Sequence, residues 1–73
     1  MDMAGLKRRL TAAGYAVVID AKIILIVRKA TPDGQPVESS LYDNGKVLIK
    51  TTDKVAADAA YAGLEPHLVA SSR

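Results

Sequence analysis

Asp43-Asn44-Gly45 stands between two runs, Val37–Tyr42 and Lys46–Thr51, in which apolar and polar side chains alternate. Turn chemistry flanked by two runs of period two predicts an antiparallel hairpin, and any fold for this chain has to contain it. Register depends on the loop. A two-residue Asn44-Gly45 loop sets Tyr42 opposite Val47 and Leu41 opposite Leu48, which leaves both faces of mixed polarity. A three-residue loop with Gly45 in the left-handed bulge position sets Leu41 opposite Val47 and Ser39 opposite Ile49. Val37, Leu41, Val47 and Ile49 then share one apolar face, so this register is the expected one.

Upstream, Tyr15 to Ala30 is mostly β-branched or aliphatic, and its one polar interruption is Asp20-Ala21-Lys22. A single long helix there would have to freeze many β-branched side chains, so two strands joined by a tight turn are expected, Tyr15–Ile19 and Lys22–Lys29. Before them, Met3, Leu6, Leu10 and Ala13 recur at helical spacing, with Asp2 placed to cap the start and Gly14 to end the helix in a left-handed conformation. After the hairpin, Thr52 or Asp53 caps a second helix, with Val55, Ala56, Ala59, Ala60 and Ala62 as a small-residue face for the sheet. Gly63, Leu64 and Pro66 read as its stop, followed by one short apolar turn and a frayed Ser71-Ser72-Arg73. Thr31–Pro36 reads as a loop, and there is no internal repeat or linker. The expected fold is α+β: a two-layer sandwich with a four-stranded antiparallel sheet and two helices on one face, in the order α-β-β-β-β-α. Residues 1–73 form one small domain.

The composition removes several classes of function. Cysteine is absent, which excludes disulfides, zinc knuckles and thiol nucleophiles. His67 is the only histidine, so no metal site and no cofactor are expected. Asp20, Asp33, Asp43, Asp53 and Asp58 fall at turns, caps or a helix face, and Ser39-Ser40 and Ser71-Ser72 have no base partner. An enzyme is the weakest class. The longest apolar run, Ile23–Val27, is far shorter than a bilayer span, and no secretory leader precedes the first helix, so a cytoplasmic location is expected.

Net charge is only +2, but the first 30 residues hold six basic and two acidic side chains. Partner chemistry therefore turns on where the cations cluster. The outer side of the hairpin carries Glu38, Ser40, Tyr42, Lys46, Leu48 and Lys50. A strand buried on one face should alternate, yet Ile23–Val27 is apolar on both sides, so either Ile24 and Ile26 or Ile23 and Leu25 must also lie outward. With Ile24 and Ile26 as that pair, Lys22, Arg28, Lys46 and Lys50 rim an apolar centre, an arrangement that marks an interaction site. Lys7-Arg8-Arg9, off the apolar stripe of the first helix, is a secondary basic candidate.

The stretch Ser40-Leu41-Tyr42-Asp43-Asn44-Gly45-Lys46-Val47-Leu48-Ile49-Lys50, with an alanine-rich helix from Asp53, resembles the repeat unit of the TATA-box-binding-protein fold. It is similar also to the N-terminal substrate-binding domain of bacterial ribonuclease HIII. The similarity covers about residues 37–64. It implies a curved sheet that grips a nucleic-acid backbone on its open face through Tyr42, Lys46, Leu48 and Lys50, and one repeat in place of two implies either pairing of copies or weak binding. The expected function is non-enzymatic binding of DNA or RNA on that face. The alternative is a protein-interaction module, either a homodimer through the same face or a small inhibitor or adaptor of the phage or plasmid type.

Overall fold

The computed structural model describes residues 2–31 and 34–71. The expected roles of Asp33 as a turn residue, of the Ser71 side chain, and of Ser72 and Arg73 lie outside what is described. The elements run α1 (Met3–Ala12), β1 (Ala16–Asp20), β2 (Ile24–Ala30), β3 (Pro36–Tyr42), β4 (Val47–Lys50) and α2 (Lys54–Ser71). The sheet is antiparallel throughout, in the order β1-β2-β3-β4.

The local chemistry of α1 is as its sequence demands. The Asp2 carboxylate accepts from the Gly5 amide at 3.0 Å and satisfies one of the unpaired donors of the first turn. At the other end Gly14 takes φ of 92°. The Tyr15 amide reaches back to the Leu10 carbonyl and the Gly14 amide to the Thr11 carbonyl, at 2.9 and 3.1 Å. That pair of bonds is a Schellman motif, and Tyr15 and Leu10 supply its hydrophobic contact. The chain is thereby turned straight into β1.

In the hairpin, Leu41 pairs with Val47 and Ser39 with Ile49. The three-residue register therefore holds, with Gly45 at φ 92° as the left-handed residue. Leu25, Val27 and Leu41 point to one side, where Leu6 and Leu10 of α1 and Leu64 and Leu68 of α2 close over them. Met3, Tyr15, Val17, Val47 and Ile49 pack around this cluster. Both helices thus cover the same face of the sheet.

Three sequence expectations are corrected. First, α2 does not stop at Gly63 but continues through Pro66 to Ser71. Leu64 and Leu68 lie four residues apart on one helical stripe and are both buried in the core, and that packing outweighs the bond lost at Pro66. Gly63 serves a close approach, since a Cβ there would sit 3.2 Å from the Tyr15 hydroxyl. Second, the small-residue face is turned differently: Val55 is 77% exposed, and Ala59 and Ala62 are exposed too. Ala56, Ala57 and Ala60 are the half-buried members. Third, β1 and β2 begin later than expected and end later, at Asp20 and Ala30, and β1 carries a bulge between Val17 and Ile19. No helix among the described residues is long and apolar enough to cross a membrane.

Candidate interaction face

Cross-strand partners share a face, so the ladder itself shows which side chains stand on the side away from the helices. Arg28 pairs with Glu38, and Glu38 with Lys50. The next row is Ile19, Ile26, Ser40 and Leu48, and beyond it Ile24 pairs with Tyr42. Leu25 and Val27 are buried beneath the helices while Ile24 and Ile26 stay half-exposed, which makes Ile24 and Ile26 the outward pair. Neither helix covers this side.

The aliphatic centre is larger than the sequence suggested. The bulge in β1 rotates Ile19 onto the outer face opposite Ile26, leaving Ile19 46% exposed. Leu48, opposite Ser40 on the same face, is 54% exposed, and Ile23, in the turn before β2, is 61% exposed. Val17-Val18-Ile19 is apolar at every position, so alternation in the sequence carried no sign of the bulge.

Of the six candidate residues, Tyr42, Leu48, Arg28 and Lys50 stand on this face through their strand pairings, and Lys46 joins Tyr42 at the hairpin turn. The Lys46 ammonium lies 5.9 Å from the centre of the Tyr42 ring, within cation-π reach. Arg28 and Lys50 stand at one end of the sheet. Lys46 and Lys22 belong to the other, where the Asp43 amide bonds the Ile23 carbonyl at 3.1 Å and ties the two turns together. Lys22 sits in the β1–β2 turn and lines a shallow groove against α1 with Lys7, Arg8 and Asp20. Glu38, between Arg28 and Lys50, offsets part of their charge.

The secondary basic run is split. Asp20 pairs with Leu25, which turns its carboxylate to the helix side, and Lys7 forms an ion pair with it there. Both side chains of that pair are about half exposed, so it contributes little stability. Arg8 is exposed and Arg9 half-buried. Among the described residues no group of three or more His, Cys, Asp or Glu is placed to hold a metal ion. Comparison with family models, curated proteins and solved structures gives no match for this chain.

Proposed function

We propose that this chain is a non-enzymatic nucleic-acid-binding domain that holds the phosphate backbone against its open sheet face. The supporting observation is the arrangement of that face: cations at both ends of the sheet and aliphatic side chains with Tyr42 between them, on a side that neither helix covers. Arg28, Lys46 and Lys50 are the phosphate contacts of the face, Lys22 adds one from the turn beside α1, and Tyr42, Leu48, Ile24 and Ile26 meet sugars and bases. The likeness to the TATA-box-binding-protein repeat is read the same way. A cytoplasmic location goes with this reading.

A second reading rests on the exposed Ile19 and Leu48 with the half-exposed Ile24 and Ile26. Contiguous aliphatic surface of this kind also suits a protein partner, including a second copy placed sheet to sheet. Salt separates the two. Four phosphate contacts give single-strand binding a slope of about −2.8 in log affinity against log salt, which is up to about 50-fold between 50 and 200 mM. An apolar dimer holds or tightens over the same range. Fluorescence anisotropy with labelled single- and double-stranded oligonucleotides, alongside sizing of the free protein, reads both. Absence of binding to any probe, together with a stable dimer that Leu48→Asp dissociates, overturns the nucleic-acid reading in favour of the protein one.

A further inference from the structure

Ser39 is out of place in the core. It stands on the helix side of β3 between Val37 and Leu41, opposite Val27 and Ile49, and is 3% exposed. Its hydroxyl makes no hydrogen bond to any described residue, and the oxygen keeps access to a cleft that it helps to line. That access leaves the hydroxyl able to bond whatever occupies the cleft, water or ligand, whereas alanine there would offer no polar group. Of the two inner positions of β3 that face this space, Val37 and Ser39, one is a serine.

The cleft has a volume of about 340 Å³ and lies between the Lys29–Ala30 end of β2, the start of β3, and α2. Its apolar lining is Ala30, Val37, Ala59, Ala60 and Gly63. The exposure of Ala59, which sequence reading assigned to helix packing, is exposure on this cleft. The polar groups are few and all can donate. Besides Ser39 they are Thr31, whose hydroxyl accepts from the Gln35 amide, the Tyr15 hydroxyl, which reaches toward Gly63, and Lys29. Lys29 pairs with Val37 and so projects to the helix side, where its ammonium lies 4.6 Å from the centre of the Tyr15 ring. One of its three N–H groups donates to the Ala13 carbonyl at 3.0 Å, which holds the ammonium in place and leaves two donors. His67 meets the Tyr15 ring edge-on, with centroids 6.4 Å apart.

We propose that this cleft is a binding site for a small carboxylate with an apolar tail. A mostly apolar cleft with a few convergent polar groups, at this volume, is a usual form of small-molecule site. The donors set the class of ligand. Lys29, Ser39 and Tyr15 all donate to a carboxylate, whereas an amine would face the Lys29 charge. The tail lies along Ala30, Val37, Ala59 and Ala60, and Gly63 leaves the depth that a side chain would fill. This site is on the opposite side of the sheet from the nucleic-acid face and does not depend on it.

Octanoate is the probe, with octylamine and octanol as the charge-reversed and neutral counterparts, read by backbone amide shifts of the intact chain. Saturable shifts at Val37, Ser39, Ala60 and Gly63 are expected with octanoate, and none with octylamine. Ser39→Ala and Lys29→Gln should each weaken octanoate binding about tenfold, with Lys29→Gln leaving octanol unaffected. Equal binding of octylamine overturns the proposal. So does undiminished octanoate binding by Ser39→Ala, and so do shifts confined to Ile26, Ser40 and Leu48 on the far face of the sheet.

Discussion

Replacing Pro66 by alanine should stabilise the protein, and the size of the effect follows from where Pro66 stands. It lies inside α2, which runs unbroken from Lys54 to Ser71, and its side chain is exposed, so no core contact is lost with it. Proline in a helix interior is about 3 kcal/mol less favourable than alanine, because it cannot donate to the carbonyl four residues back and its ring crowds that carbonyl. Alanine also loosens the unfolded chain, which returns about 0.5–1 kcal/mol to that state. The net gain is about 2 kcal/mol. For a domain of this size that raises the melting midpoint by about 10 °C. Thermal and urea unfolding followed by far-ultraviolet circular dichroism measures it, with an unchanged urea slope expected because the buried surface is the same. A midpoint that stays put or falls refutes the reasoning. It would mean that the helix breaks before Pro66, as the Gly63-Leu64-Glu65-Pro66 sequence suggests, and that Leu68 reaches the core by another route.

Three further outcomes test other parts of the molecule. Lys46→Glu with Lys50→Glu should weaken oligonucleotide binding for every sequence alike and reduce the single-strand salt slope by about 1.4, measured by anisotropy; an unchanged slope removes both residues from the interface. Leu41→Ala empties a fully buried position beneath both helices and should cost about 3 kcal/mol in urea unfolding, a large part of the stability of so small a domain. Burial holds the Tyr15 phenol above its usual pKa, so the fold favours the protonated form. That contribution is complete below the unfolded value of about 10 and is lost as pH rises through the folded one, so stability should fall in strongly alkaline buffer, and less steeply in Tyr15→Phe.

Most of the architecture could be read from residues whose local preference and tertiary role agree. Asp2, Gly14 and Gly45 each have a backbone requirement that few other residues meet, and each sits where its chemistry places it. The hairpin register followed from a single demand, that Leu41, Val47 and Ile49 share a face. Where the reading failed, local and tertiary preferences conflict. Gly63 and Pro66 are breakers by propensity, but the Leu64–Leu68 stripe anchors the helix across them, and nothing local to those residues announces a core on the far side. The β1 bulge was illegible because Val17, Val18 and Ile19 suit either face equally. On the interaction face, Tyr42, Leu48, Lys50 and Arg28 were legible once the register was known. Ile19 was not, since its orientation depends on the bulge, and Ser39 carried no signal until its burial and its unbonded hydroxyl were seen together.

The bulge has one more consequence. β1 and β4 are the two ends of the sheet, and strand edges are where sheets recruit further chains into filaments. At β1 the irregular step between Val17 and Ile19 breaks the even comb of amides and carbonyls that an incoming strand would need. At β4 only four residues are in strand conformation, and Lys50 ends them with a charge. Both margins are therefore poor templates for endless growth, so an exposed aliphatic sheet face here does not by itself seed a fibre.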